Sequence, residues 1–304
     1  MKKYNNILTI FIFYLLIYMV IAPKFFISQA FNGISAWALN VLPSILPFMV
    51  FSKILFSLGK MDKLSRLFKK PCKALFNSPP ISSYVFFTSI ISGYPVGAKM
   101  TADLYENGKI TRSEAYRMIS FCSTSGPMFI IGALGANMLK NSALGYMIFV
   151  SHVIGAILNG ILYRKITTNE ETKKVQENEK KSDLSTIIID SALSIISVGV
   201  IICIFFVIIS ALSPIFNLFP PYLSAFFEGL VEITKGCIDL SVLPCQELSA
   251  ILCTFIISFG GISTIIQSQT MLSRLKMPIK LFILQKLTHA IFATLIMSLF
   301  SLII

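Results

Sequence analysis

The chain has 304 residues, of which 55% are hydrophobic and only 13% carry a charged side chain. A soluble globular domain has about 25% charged residues, and a β-barrel would show alternating strands of about ten residues. The apolar residues here form long blocks instead, and a membrane-spanning helix needs about 20 of them. The composition therefore excludes an ordinary soluble domain and predicts an all-α, multi-pass integral membrane protein whose surroundings are the lipid bilayer.

The net charge of +12 does not indicate a nucleic-acid partner, because Lys and Arg lie between the apolar blocks, where they orient membrane helices. Two histidines and six cysteines without a CxxC pair give no ligand set for a metal. No nucleophile–base pair or phosphate loop is present, so we expect neither an enzyme nor a cofactor. Cys237 and Cys245 lie in one loop and could form a disulfide, although free thiols fit this spacing better.

The first apolar block, residues 6–22, follows Lys2 and Lys3. It is long for a signal peptide, and no small-residue cleavage site follows it. Residues 1–30 are therefore predicted to contain an N-terminal transmembrane helix whose N-terminus is cytoplasmic.

The second predicted span covers residues 33–58 and contains Pro43 and Pro47, which predict a kink. Basic residues then dominate residues 60–73, with Leu and Phe interleaved among them. Such a pattern is typical of an amphipathic helix that lies on the cytoplasmic membrane surface. The second span therefore returns the chain to the cytoplasm.

Two later apolar blocks are interrupted by small and polar residues. Residues 81–98 contain the break SGYP at 92–95, and residues 118–139 contain the break STSGP at 123–127. A helix interrupted at membrane depth leaves backbone groups unpaired unless they line a polar cavity or bind a solute. The next block, residues 143–163, is an unbroken span.

Residues 165–184 are highly charged and poor in apolar residues, which predicts a cytoplasmic linker. This linker divides the chain into two predicted repeats, residues 31–164 and 185–304. The second repeat contains a span at 187–212, short amphipathic or re-entrant helices at 222–246, a block at 248–272 broken at SFGG, a basic loop at 274–280 and a last span at 281–304.

The order of these elements predicts an inverted repeat. With an offset of 167 residues, Gly93 falls on Gly260, and interrupted segments at matching positions are typical of transporters. Counting crossings from a cytoplasmic N-terminus, we expect the segment around Gly93 to span the membrane and the block around Gly126 to be re-entrant. This topology places residues 99–117 outside although they are slightly basic. If the Gly93 segment were re-entrant and the Gly126 block spanned the membrane, residues 99–117 would lie inside. The segments around Gly93 and Gly260 would then no longer be inverted repeats of each other.

The breaks predict a binding site for a small anion. Pro95 suits the first position of a half-helix, Gly97 lets a ligand approach the backbone, and Lys99 adds a positive charge one turn further on. Each helix N-terminus contributes about 0.3–1 kcal/mol when exposed and up to about 2 kcal/mol when partly buried. The predicted substrate-binding residues are Ser92, Gly93, Pro95, Gly97, Lys99, Ser123, Thr124, Ser125, Gly126, Pro127, Gly260, Gly261, Ser263, Thr264 and Gln267.

A single Gly or Pro in a membrane helix is more often a packing notch or a kink than part of a binding site. Three breaks flanked by Ser or Thr reverse that preference. In the last span, Lys286 and His289 share one helix face, and an ionisable residue in a membrane is a candidate for function. We nevertheless expect Lys286 to extend to the cytoplasmic interface, and His289 and His152 to be hydrogen-bonded buried residues rather than proton relays.

The interrupted segments resemble a known family. The segments LPSILPFMVFSKIL at 42–55, SGYPVGAK at 92–99, GKITRSEAYRMISFCSTSGPMFIIGALG at 108–135 and SFGGIST at 258–264 are similar to those of YlbJ-type sporulation integral membrane proteins. These proteins belong to the nucleoside-recognition Gate domain group, and the resemblance covers residues 35–290. Family members often carry Asn near Ser123 or Thr124, where this chain keeps polar side chains without the amide.

The resemblance implies a fold with broken and re-entrant helices like the core of concentrative nucleoside transporters, built from two Gate-like repeats. It also implies a stage V sporulation protein of the mother cell, located in the outer forespore membrane. Such a protein is linked to the spore cortex and to passage of dipicolinic acid toward the forespore.

Three functions are compatible with these features. The first is transport of dipicolinate or another small anion, with helix N-termini and Lys99 binding the carboxylates. The second is nucleoside or nucleobase transport, for which only Gln267 is suitably placed. The third is a non-transporting scaffold for cortex assembly that uses residues 60–73. Coupling to protons or sodium, the direction of transport and a homo-oligomeric state are left open by the sequence.

Overall fold

The structure is a computed structural model that describes residues 2–58, 68–168 and 183–302. Within these residues all regular structure is helical, and five helical segments are long and apolar enough to cross a membrane, which confirms the predicted fold class. The helices are α1 (Lys2–Ile21), α2 (Pro23–Ala36), α3 (Leu42–Ser57), α4 (Lys69–Phe76), α5 (Ser82–Ser92), α6 (Val96–Glu106), α7 (Arg112–Cys122), α8 (Met128–Met138, with π-helical hydrogen bonding), α9 (Ser142–Leu162), α10 (Leu184–Phe216), α11 (Pro221–Val231), α12 (Ile233–Ser241), α13 (Gln246–Phe259), α14 (Gly261–Leu272) and α15 (Ile279–Ser301).

The second span begins earlier than predicted. Pro23 starts α2 at a position where its missing N–H costs nothing, and a π-helical turn at Trp37–Val41 joins α2 to α3 without a gap. The wider turn lies just before Pro43, which has no backbone N–H for the regular hydrogen-bond ladder, and the predicted kink stays a prediction. Two predicted segments, residues 60–73 and 165–184, lie largely outside the described residues.

The break at Gly93 reverses the chain direction. α5 and α6 pack against each other as hairpin 1, and a Cβ atom placed on Gly97 of α6 would lie 2.7 Å from Cβ of Ser89 in α5. The prediction that this segment spans the membrane is therefore wrong. A Gly-Pro break permits either a reversal or a continued helix, and the contact between two small residues selects the reversal here.

The block around Gly126 continues across the membrane instead of re-entering, contrary to the prediction. Tyr116 of α7 donates a hydrogen bond to the carbonyl of Lys276 (3.2 Å), whereas Gln246 donates to the carbonyl of Leu139 after α8 (3.3 Å). Lys276 and Gln246 flank opposite ends of α13–α14, so α7–α8 runs alongside that interrupted helix over its whole length.

A second hairpin forms in the other half of the chain, where short re-entrant helices were predicted. α11 and α12 pack closely as hairpin 2, because Gly236 contacts Gly229 and a Cβ atom on Gly236 would lie 2.2 Å from Cα of Gly229. Each half therefore consists of a hairpin, an interrupted helix and a long helix, in the order α5–α6, α7–α8, α9 and α11–α12, α13–α14, α15.

This order corrects the pairing of the breaks. Gly126 in α7–α8 corresponds to Gly260 in α13–α14, and Gly93 corresponds to the tip of hairpin 2, so the offset of 167 residues aligned the wrong elements. With hairpin 1 re-entrant, the first half crosses the membrane only through α7–α8 and α9. α10 then adds one crossing between the halves, so the second half has the opposite orientation. The loops at 107–111 and 273–278 then both lie at the same end of the bundle, which is the predicted cytoplasmic side, and Arg274 and Glu106 form a salt bridge there (2.8 Å). The exact division at residues 31–164 and 185–304 stays a prediction.

α10 packs antiparallel to the continuous α2–α3 segment. The indole N–H of Trp37 donates to the carbonyl of Ile195 (3.1 Å), and Gly199 leaves space for the indole ring. One turn further along α10, Gly33 contacts Cys203. In the opposite part of the bundle, α9 packs on α15 where Gly155 contacts Ala293. The hairpins and interrupted helices lie between these two packed groups, α10 with α2–α3 and α9 with α15.

The close packing inside hairpin 1 and onto α7 predicts that Gly97→Ala destabilises the fold. A Cβ atom at position 97 would lie 1.8 Å from the carbonyl oxygen of Cys122, which belongs to a helix and cannot move freely. Overpacking typically costs about 1–3 kcal/mol, so we expect a clearly lower melting temperature in detergent. Gly132→Ala is the control, because its nearest neighbour is the flexible end of Met128 at 3.3 Å. Equal melting temperatures of both variants would contradict this assignment.

The corrected topology predicts which membrane side each loop faces. Cys245 and Asn107 are both exposed. In inside-out and right-side-out vesicles, a membrane-impermeant maleimide should label Cys245 only from the outer side and an Asn107→Cys variant, made in a Cys245→Ser background, only from the cytoplasmic side. Labelling of both positions from the outer side would instead support the topology predicted from the sequence, in which residues 99–117 lie outside.

Candidate solute-binding chamber

Both hairpin tips and both helix breaks meet at the centre of the bundle. At the tip of hairpin 1, Gly93 has φ +74°, and a Cβ atom there would lie 2.7 Å from the backbone nitrogen of Gly126. At the second break, Gly261 has φ +60° and packs against the carbonyl oxygen of Gly229 in hairpin 2 (3.2 Å from an added Cβ). These contacts bring four backbone interruptions together.

A cavity of about 750 Å³, here called the chamber, adjoins this junction. The N-terminal ends of four half-helices contribute to its wall. Its polar and small lining residues at these ends include Pro95 before α6, Ser125 and Gly126 before α8, Glu232 and Thr234 at the start of α12, and Ser263 and Thr264 in the first turn of α14.

Three of these N-termini have no side-chain cap. α6 follows Pro95, α8 follows Pro127 and α14 follows Gly260, and none of these residues can accept a hydrogen bond through its side chain. The first N–H groups of a helix have no partner within the helix, and the helix dipole makes this end electropositive. The uncapped ends thus provide three electropositive positions around one cavity.

The fourth N-terminus is capped by a carboxylate of the chain itself. Glu232, which is only 3% exposed, lies at the tip of hairpin 2 and accepts a hydrogen bond from the backbone N–H of Lys235 (2.8 Å). This arrangement shows within the same chamber how a helix N-terminus holds a carboxylate group.

Four charged side chains line the chamber on its cytoplasmic side: Lys53, Lys99, Asp103 and Asp190. Lys53 lies within electrostatic range of Asp190 and Lys99, and Asp103 lies within range of Lys99. None of the salt bridges within the described residues joins two of these four groups. Both lysines therefore remain available to a bound anion.

Apolar packing closes the other side of the chamber. Val41, Phe129, Ile202 and Ile233 line it and belong to one buried apolar cluster with the outer parts of α8, α12 and α13. The chamber therefore has an apolar wall at one end and charged side chains at the other.

The structure brings together nine of the predicted substrate-binding residues. Gly97, by contrast, is a packing position under the carbonyl of Cys122, where its small size serves the hairpin and not a ligand. Those in the chamber wall are Ser92, Gly93, Pro95, Lys99, Ser125, Gly126, Ser263, Thr264 and Gln267, and those outside it are Gly97, Ser123, Thr124, Pro127, Gly260 and Gly261.

Sequence reasoning missed several residues of the chamber wall, namely Lys53, Tyr94, Asp103, Asp190, Glu232 and Thr234. For Lys53 and Asp190 a signal was present, because each is an isolated charge in an apolar span. Tyr94 and Glu232 were recognisable only as members of short polar segments, since their position at a hairpin tip depends on the fold.

The two buried histidines are hydrogen-bonded, as predicted. Nε2 of His152 accepts a hydrogen bond from the backbone N–H of Ser125 (2.9 Å), so its Nδ1 carries the proton and donates to Oγ of Ser258 (2.8 Å). His289 donates through Nε2 to the carbonyl of His152 (2.9 Å). His152 thus connects the two helix breaks and satisfies a backbone N–H that the first break leaves unpaired.

The prediction for Lys286 is wrong. The residue is 3% exposed and does not extend to the interface, because its Nζ donates to the carbonyl of Ser123 (2.8 Å) and to the hydroxyl of Tyr94 (2.5 Å) at the centre of the bundle. Cys237 and Cys245 do not form a disulfide, since Cys237 is buried and Cys245 is exposed; both are free thiols, as the spacing favoured.

Comparisons with known proteins agree with this architecture. Residues 38–142 match the family model described as Gate, nucleoside recognition. The sporulation integral membrane protein YlbJ of Bacillus subtilis (strain 168) is 26% identical, over 96% of this chain and 82% of that protein.

Solved structures of the concentrative nucleoside transporter CNTnw share the fold. Its inward-facing, substrate-bound structure gives a TM-score of 0.58 at 15% identity and covers 99% of this chain and 86% of that one. An outward-facing structure of a doubly substituted CNTnw gives 0.54, with 98% and 86% covered. The chain is therefore an integral membrane protein with the fold of CNTnw, and it is similar to the Gate, nucleoside recognition, model over residues 38–142 and to YlbJ along nearly its whole length.

Proposed function

We propose that this protein transports a small carboxylate-bearing solute, dipicolinic acid, across the outer forespore membrane toward the forespore. The observation that carries the proposal is the convergence of three uncapped half-helix N-termini and Lys99 on one chamber. Electropositive helix ends and a free ammonium group favour anions, and interrupted helices with such ends are typical of transporter binding sites.

The chemistry of dipicolinate suits the chamber. It is a planar aromatic dianion, so it needs two positions for carboxylates and an apolar surface for the ring. We assign Lys99 with the N-terminus of α6 to one carboxylate, and Ser263 and Thr264 with the N-terminus of α14 to the other. Apolar side chains of α3 and α10, including Met49 and Val198, line the remaining wall and can contact the ring.

A similar protein and the positions of charged residues support the cellular setting of this proposal. YlbJ is a sporulation integral membrane protein, which supports the same setting for this chain. The chamber extends toward the cytoplasmic side, so a protein in the outer forespore membrane would load its solute from the mother cell. This setting includes the lipid bilayer as a partner, contacted on the cytoplasmic side by Lys70 and Lys73 of α4.

A specific observation favours nucleosides as a second candidate. The matched family model is described as nucleoside recognition, and Glu232 and Gln267 both line the chamber, where a carboxylate and an amide can bind hydroxyl groups and bases. Against this candidate, a neutral solute has no anionic group for the uncapped N-termini and Lys99 to bind. Uridine uptake that saturates while dipicolinate flux is absent would favour this second candidate.

Lys99→Gln should reduce dipicolinate flux into vesicles that contain the purified protein. A hydrogen bond to a charged group contributes about 1.5–3 kcal/mol, which corresponds to about 10- to 100-fold weaker binding. Lys24→Gln, on the exposed surface of α2 and outside the chamber, is the control and should keep wild-type flux. Lys99→Gln should also reduce flux of dipicolinate more than flux of pyridine-2-carboxylate, because one carboxylate loses its partner. Normal dipicolinate flux in this variant would remove Lys99 from the site.

A further inference from the structure

Lys286 is a buried lysine that pairs with no carboxylate among the described residues. It lies in the first half of α15, is 3% exposed and takes part in none of the salt bridges within the described residues. It does not line the chamber, from which the side chain of Tyr94 separates it. Burying a charge is costly unless other groups stabilise it, so the surroundings of this ammonium group require an explanation.

Two oxygen atoms accept hydrogen bonds from the amine of Lys286, and a third is linked to it through Tyr94. Its Nζ donates to the carbonyl of Ser123, directly after α7, and to the hydroxyl of Tyr94 at the tip of hairpin 1; the Tyr94 hydroxyl in turn donates to the carbonyl of Ile257 in the last turn of α13 (3.2 Å). The Lys286 side chain also passes Gly260, the residue that ends α13.

The inverted repeat explains why these ends meet. α7 and α13 enter the bundle from opposite membrane sides, so both of their electronegative C-terminal ends face the centre. In transporters with broken helices, unwound carbonyls and half-helix C-terminal ends coordinate Na⁺ or H⁺. The Ser123 carbonyl, the Tyr94 hydroxyl and the Ile257 carbonyl bonded to it, here called the cation seat, include two such carbonyls at half-helix C-terminal ends.

We propose that the Lys286 ammonium group is a built-in cation that permanently fills the cation seat, so that this protein binds no sodium there and transports its solute without a sodium gradient. A tethered ammonium group has the charge of Na⁺ and donates to the Ser123 carbonyl and the Tyr94 hydroxyl, but it cannot exchange with the solution. It holds hairpin 1, α7 and α13 to α15 throughout the transport cycle.

The proposal has a melting test that does not depend on the solute. Lys286→Ala empties the cation seat, so its melting temperature in choline buffer should fall and then rise by a few degrees with Na⁺ or ethylammonium, since a ligand that binds only the folded state stabilises it. Lys286→Met removes the charge but keeps the chain that fills the space, so neither cation should stabilise it. Wild-type protein should melt at the same temperature in sodium, potassium and choline.

Several outcomes would overturn the proposal. These are a Na⁺-dependent rise in the wild-type melting temperature, equal behaviour of Lys286→Ala and Lys286→Met with both cations, or solute flux by wild-type protein that requires sodium. If Lys286→Ala cannot be purified, the comparison of wild-type protein in sodium and choline decides alone. Only the flux measurement rests on the proposed function, so absence of dipicolinate transport would leave the melting result valid.

Discussion

Backbone groups exposed at membrane depth are the constraint on which this structure depends. Hydrocarbon cannot hydrogen-bond N–H or C=O groups, so every helix interruption must be satisfied within the protein. Two hairpin tips and two breaks solve this problem by meeting at one place, where Gly93 contacts Gly126 and Gly261 contacts Gly229. His152 accepts one free N–H, and Lys286 binds one free carbonyl. The groups that no side chain satisfies face a cavity that a solute or water can occupy.

This arrangement separates the two polarities of the helix ends. The C-terminal ends of α7 and α13 face Lys286 behind Tyr94, whereas the N-terminal ends of α6, α8, α12 and α14 face the chamber. As the proposed built-in cation, Lys286 neutralises the electronegative ends, so their field would not oppose the proposed anion in the chamber. The position of one buried amine therefore supports the electrostatic role of helix ends on the other side of Tyr94.

Sequence reasoning predicted what local composition determines and missed what packing determines. The all-α membrane fold and the three breaks followed from apolar blocks interrupted by Gly, Pro, Ser and Thr. Whether a break reverses the chain was not predictable, because Gly93 and Gly126 have similar local sequences and only the contact between Gly97 and Ser89 distinguishes them. The same limit explains the wrong prediction for Lys286. Its closeness in sequence to the basic loop at 274–280 suggested the membrane interface, whereas the Ser123 carbonyl that accepts its hydrogen bond lies far away in sequence.

The two halves share a backbone plan but give the chamber opposite charges. In hairpin 1 the helix after the tip starts without a side-chain cap and carries Lys99 one turn later, so it favours an anion. In hairpin 2 the corresponding helix starts with Glu232, whose carboxylate already occupies the N-terminus. A symmetric chamber would accept the proposed dianion in several orientations, whereas Glu232 already occupies the N-terminus of α12 and leaves those of α6, α8 and α14. The proposed orientation of the substrate therefore depends on the position where the sequence departs from the symmetry of its own repeat.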